Sequence, residues 1–166
     1  ELGSKYISVG SLDLTSLVSI QTFTQSITEE FDVLILNAGV MATPLAHTKD
    51  GFELQLGTNH LGHFALAGLL HSKVIDRIVS VSSQAHRIGN FGDGSKDEIL
   101  RRAKGVGAYK PWGAYGDSKL ANLLFTNELQ RRAMKNNWRF SAYAVHPGYS
   151  NTNLQNVSPA MRGATA

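Results

Sequence analysis

The sequence predicts an α/β fold on a parallel sheet, and three observations carry that expectation. Short runs rich in β-branched residues alternate with longer segments of helical period along the 166 residues. One run, Val33-Leu34-Ile35-Leu36, is apolar throughout, as suits a strand with helices over both faces. Two runs end in small or turn-forming residues, Asn37-Ala38-Gly39 and His146-Pro147-Gly148, at the carboxyl edge where such sheets gather ligands. A hydrophobic share of 42% supports one core, and the chain is too short for two.

Taken in chain order, the first expected strand is Tyr6-Ile7-Ser8-Val9, followed by a helix over residues 15–28. Val33-Leu34-Ile35-Leu36 is the second strand, and a helix over 51–70 follows it. The third strand is Arg77-Ile78-Val79-Ser80-Val81. Residues 87–113 then break into charged, Gly-rich sequence, read as an inserted loop with one short helix over 98–103. The helix over 114–135 has the clearest stripe: Leu120, Leu123, Leu124 and Leu129 recur at three- and four-residue spacing, with Glu128, Arg131 and Arg132 between. Ser141-Ala142-Tyr143-Ala144-Val145 is the fourth strand.

Several classes fall away on composition. With no cysteine there is neither a disulfide framework nor a thiolate metal site, which suits a reducing, cytoplasmic setting. No apolar run approaches the ~20 residues of a membrane span. The net charge of +3 is too small, and the clusters 101–104 and 130–132 too short, for nucleic-acid binding. His60 and His63 stand three apart on one helix without a carboxylate at useful spacing, so no metal is expected. Gly89, Gly92 and Gly94 read as loop punctuation because they do not join a strand to a helix.

The residues that carry chemistry begin with Tyr115 and Lys119, one helical turn apart on one face. A phenol ordinarily titrates near ~10, and an adjacent ammonium favours its ionised form. The same spacing also describes a surface pair on an exposed turn. Ser82 and Ser83 end the third strand at the ligand edge, or cap the next turn. Asn37-Ala38-Gly39 lets a flat or phosphorylated ligand approach the backbone, or is a tight turn. Asn59, inside an apolar helix, needs a partner there.

Together Asn37-Ala38-Gly39, Asn59, Ser83, Tyr115-Gly116-Asp117-Ser118-Lys119 and Pro147-Gly148 resemble the short-chain dehydrogenases/reductases, in the branch of the retinol dehydrogenases and the WW-domain-containing oxidoreductase. The resemblance spans nearly the whole chain. It implies a Rossmann-type doubly wound sheet in three αβα layers and an oxidoreductase that moves a hydride between a nicotinamide cofactor, NADP favoured over NAD, and an alcohol or carbonyl. By the same resemblance Tyr115 is the general acid or base, Lys119 lowers its pKa and binds the nicotinamide ribose, Ser83 holds the substrate oxygen, and Asn59 anchors a water that links Lys119 to solvent. Asp13 and Leu14 fall at the adenine edge, Asn37, Ala38 and Gly39 beside the adenosine ribose, and Pro147, Gly148 and Thr152 along the nicotinamide and its phosphate. Asp13 can equally begin a helix with Thr15 and Ser16. The family's pairing through the helices at 51–70 and 114–135 implies a homodimer or homotetramer.

The resemblance also marks departures. The family's glycine-rich phosphate loop and the residue that selects NAD or NADP have no counterpart, so the expectation is a partial record of a longer chain, lacking its first βαβ unit and its C-terminal part. The missing strands would leave residues 6–9 without a neighbour and the next strand with an open apolar edge. The stretch 68–77 is short for the family, and 87–113 reads as a substrate-side insertion, mobile through its glycines. Two other functions stay in view: a cofactor-binding scaffold without turnover, and a sugar-nucleotide epimerase or dehydratase relative, which uses the same Tyr and Lys.

Overall fold

A computed structural model describes residues 7–148. The first helix, α1 (Leu17–Ser26), starts two residues later than the pattern suggests, because the Ser16 hydroxyl accepts from the Ser19 N–H and caps it. β1 (Phe31–Leu36) follows. Gly51, at φ 80°, turns a small hairpin in which Thr48 bonds Phe52, so the next helix opens at α2 (Leu54–Leu56) rather than at residue 51. It widens into a π-helical turn, Gly57–Gly62, and continues as α3 (His63–Leu70). A single 3-10 turn, His71–Lys73, carries the chain into β2 (Val74–Val81), which is how so short a connection suffices.

A 3-10 turn, Gln84–Ile88, leads into the insertion, which contains α4 (Lys96–Ala103), whose Ser95 cap and acidic first turn match the helix macrodipole. α5 (Pro111–Lys135) opens with Pro111, whose missing N–H costs nothing at a first turn. Asn137, at φ 52°, closes it by turning Trp138 N–H back onto the Ala133 carbonyl. β3 (Ser141–Val145) completes a three-stranded parallel sheet in the order β1-β2-β3.

Residues 7–9 form no strand: they have no strand neighbour, and Val9 is 95% exposed. Tyr6 lies outside the described residues. β1 accordingly ends the sheet, with its outer edge unpaired among the described residues. Among the described residues the helices that pack on the sheet lie over one face. Leu36, Ile78 and Ala142 turn to one side and pack under Leu66, Ala67, Leu129 and Ala133, where burying each leucine or isoleucine contributes roughly 2 kcal/mol. On the other side Ile35, in register with Val79 and Tyr143, is 62% exposed. Both crossovers step in the same direction along the sheet, and right-handed crossovers of that kind place their helices on one face. α1 joins that layer through Ile20.

Candidate active site

The site is assembled at the carboxyl ends of β1, β2 and β3. After β1 the chain turns through Asn37-Ala38-Gly39-Val40, and Asn59 arrives from the π turn to hold it. Its Oδ1 accepts from Val40 N–H at 2.8 Å, while its Nδ2 donates to the Val40 carbonyl and to Ser118 Oγ, each at 2.9 Å. Asn59 is fully buried, so this pairing removes the desolvation cost of its amide. Gly39 is required by this approach, since a Cβ there would lie 2.9 Å from Asn59 Oδ1. The Asn59 carbonyl accepts from His63 Nδ1 at 3.0 Å. Both ends of the residue expected to anchor a water are therefore engaged by protein.

On α5, Tyr115 and Lys119 are each 5% exposed, and the ammonium stands 5.6 Å from the centre of the phenol ring. Lys119 donates to the Val81 carbonyl at 3.0 Å. Burial drives its pKa down to about 8, because the charged form is poorly solvated there. Burial pushes the Tyr115 phenol above its ordinary value, and a hydrogen bond with Ser83 opposes that rise. The ammonium sits over the ring, and the Ser83 hydrogen bond favours the phenolate.

Ser82 and Ser83 divide their work. Ser82 Oγ donates to the Lys119 carbonyl at 2.8 Å and fastens β2 to α5, whereas Ser83 faces Tyr115 and also caps the following turn by accepting from Ala85 N–H. Gly89 and Gly116 let that turn lie directly on the helix, a Cβ at Gly89 falling 2.5 Å from the Gly116 carbonyl. Trp112 meets Tyr115 edge to face at 6.0 Å.

The remaining expected residues lie around this centre. Gly148, at φ 74°, donates its N–H to His146 Nδ1, and His146 Nε2 lies 3.1 Å from the Gln84 side-chain nitrogen. Pro147 sits in the same turn, and Thr152 lies outside the described residues. Asp13 is spent on Thr15 and Lys49, which hold its carboxyl down to about 2. Leu14 packs on the π turn, its carbonyl 2.5 Å from where a Gly62 Cβ would stand. His60 donates to Asn122 Oδ1 rather than facing His63 as a co-ligand, and Asn122 Nδ2 shares the Val81 carbonyl with Lys119.

Sequence reasoning missed Ser118, Asn122 and His63 as parts of the site. The available signal was a polar residue on the buried stripe of a helix, at positions 118 and 122, where nothing else explains it.

This is the architecture of a Rossmann-type α/β protein with a Ser-Tyr-Lys cluster at the ligand edge of its sheet. No protein-family model matches the chain. Relatives do: retinol dehydrogenase 14 of Mus musculus is 44% identical over 155 residues, covering 88% of this chain and 43% of that protein. Retinol dehydrogenase 11 of Homo sapiens is 41% identical over 167 residues, covering 96% and 50%. A solved structure of an uncharacterized Mycobacterium Paratuberculosis protein superposes with a TM-score of 0.78 at 51% identity, covering 89% of this chain and 52% of that one. A short-chain dehydrogenase/reductase of Burkholderia phymatum in complex with NAD shares the fold at a TM-score of 0.67 and 19% identity, covering 96% and 55%. The chain belongs to the short-chain dehydrogenase/reductase family, in its retinol-dehydrogenase-like branch. It spans about half the length of the curated relatives it matches.

Proposed function

We propose that the protein is an NAD(P)-dependent oxidoreductase acting on an alcohol or carbonyl, with Tyr115 as general acid/base. The observation that carries this reading is the buried pair of Tyr115 and Lys119 with Ser83 hydrogen-bonded to the phenol. A nicotinamide dinucleotide fits the residues present: the turn Asn37-Ala38-Gly39 follows β1 at the carboxyl edge of the sheet, and Lys119 is a buried donor. When bound, that cofactor supplies or accepts the hydride.

The chain's own residues do the rest. Ser83 holds the substrate oxygen and stabilises the charge that develops on it. Tyr115 Oη gives its proton to that oxygen in reduction and takes it back in oxidation. Lys119 would hold the ribose hydroxyls of the cofactor with its remaining N–H groups. Asn37, Ala38 and Gly39 would hold the adenosine side of the cofactor, Pro147 and Gly148 the nicotinamide side, and Asp13 and Leu14 the adenine edge. Residues 87–113 close the substrate side. Phe64 and Leu124, exposed on α3 and α5 beside Phe125, favour pairing of two copies through these helices.

The test is turnover of alcohols and aldehydes by the purified full-length protein with NADP and NAD, compared with Tyr115→Phe. Loss of turnover with dinucleotide binding retained supports the assignment, and undiminished activity in the variant removes it.

A further inference from the structure

α5 is tied to α2 and the π turn that continues it by two polar rungs. The inner one is the Asn59 to Ser118 bond. The outer one lies nearer the start of each: Gln55 precedes Asn59 by four residues, and Pro111 precedes Ser118 by seven. Gln55 Nε2 donates to the Pro111 carbonyl at 3.0 Å and to Tyr109 Oη at 2.8 Å. Tyr109, just ahead of α5, has one proton to give. It donates to Glu53 Oε1 at 2.9 Å, with the Thr43 carbonyl a second acceptor at 3.2 Å. The Glu53 carboxylate caps α2 by accepting from the N–H groups of Gln55 and Leu56. Glu53 is 2% exposed and Gln55 fully buried.

We infer that Tyr109 and Gln55 are positioning residues, which fix the helix bearing Asn59 against the helix bearing Tyr115 and so set the geometry of the reacting groups. Helical capping alone does not account for the arrangement. Two backbone donors already satisfy such a cap, and neither needs a phenol or a glutamine that reaches across to α5. Nor does core packing, since a buried amide and carboxylate are costly wherever apolar side chains could fill the space. What the polar cluster adds is a directional link between two helix starts. It needs the insertion, because Tyr109 belongs to it, and this gives residues 87–113 a structural task. The same segment is fixed at its other end, where Asp117 accepts from Asn90 N–H and from Arg102. Burial beside Glu53 pushes the Tyr109 phenol up to about 12, so it remains a donor across any working pH.

The inference rests on the oxidoreductase reading, and the experiment separates the two. With the full-length protein and a substrate found active, Tyr109→Phe should lower kcat about tenfold or more with the KM for the dinucleotide within about twofold, as expected when reacting groups are displaced by a fraction of an ångström. Gln55→Met, which leaves the Glu53 cap whole, should do the same and answers the question if Tyr109→Phe does not fold. The two substitutions combined should cost little more than either alone. A lower melting temperature with kcat unchanged in both variants overturns the inference. If the wild-type protein turns over no substrate, the functional reading fails, and amide hydrogen exchange decides the inference alone. Faster exchange over 54–62 and 111–116 in Tyr109→Phe, with β2 unaltered, supports it, and unchanged exchange there overturns it.

Discussion

Asn59 Nδ2 donates to Ser118 Oγ, and Ser118 Oγ in turn donates to the Tyr115 carbonyl, so the turn after β1 and the first turns of α5 share one chain of bonds. Val40 is tied into that chain at both its N–H and its carbonyl.

Removing the two ends of this link should have unequal costs. Asn59→Ala strands the Val40 N–H and carbonyl together with Ser118, whereas Ser118→Ala leaves only one amide hydrogen of Asn59 unpaired. A buried polar group left unpaired costs about 1–3 kcal/mol. Urea unfolding should therefore show Asn59→Ala destabilised by about 3 kcal/mol or more and Ser118→Ala by about 1. Equal losses would mean that Asn59 does not hold the turn.

Glycines at two places predict opposite outcomes for one substitution. A Cβ at Gly116 would lie 2.8 Å from the Ala85 carbonyl and 2.9 Å from the Gly89 nitrogen, both backbone atoms that cannot swing aside. Gly116→Ala should then destabilise by about 1–3 kcal/mol and separate Ser83 from Tyr115, lowering kcat with it. Gly68, inside α3, has nothing within 4 Å of its Cβ position, and Gly68→Ala should stabilise by about 0.5–1 kcal/mol through the better helix propensity of alanine. Thermal melts of the two variants check the pair, and a shift of the same sign in both would refute the argument.

These cases show what the sequence could reveal. β1, β2, β3 and α5 were legible because their signals are local: β-branched runs, and leucines at helical spacing with Pro111 at the helix start. The nearness of Tyr115, Lys119 and Ser83 to one another is legible because all three stand at strand and helix ends. Residues 7–9 carry the pattern of a strand but form none, since a strand exists only with a partner and, as the missing strands imply, none stands beside them among the described residues. Val33 and Ile35 mark a second apolar face on β1, which is exposed among the described residues. The pairings of Glu53, Gln55 and Tyr109 span more than fifty residues of sequence, and no periodicity encodes such a contact.

His63 should make the protein acid-sensitive in a window of its own. Burial, with the nearby charges of Lys119 and His60 as smaller contributions, lowers its pKa to about 4, against 6.5 for a free imidazole. Between those values the unfolded chain binds a proton that the folded chain refuses, so stability falls as pH drops from 6.5 toward 4. The loss from pH 6.5 to 4.5 amounts to about 2 kcal/mol. Glu98 and Glu128, held down to about 2 by their arginines, do not titrate in the folded protein over that range. Denaturant unfolding of His63→Gln should show a slope against pH shallower by about that amount. Parallel slopes in variant and wild type would show that the imidazole is not kept neutral by burial.

Lys119 predicts a trend of the same sign at alkaline pH. Its folded pKa of about 8 lies below the 10.5 of a free lysine, so from pH 8 upward the folded protein releases the proton before the unfolded chain does. The unfolded state then holds more protons, and stability attributable to this residue rises with pH until the free value is passed. Between pH 7 and 9.5 the gain is about 2 kcal/mol. Tyr115 and Tyr109 are both pushed above the ordinary phenol value and stay protonated when folded, and they are common to wild type and a Lys119→Met variant. Unfolding free energies of the two proteins at pH 7 and 9.5 isolate the lysine: wild type should gain on the variant by about 2 kcal/mol, and a constant difference would place the ammonium in a solvated setting incompatible with the buried pair. Bound dinucleotide should weaken the trend, since ribose hydroxyls that accept from the ammonium return part of the solvation it loses on burial.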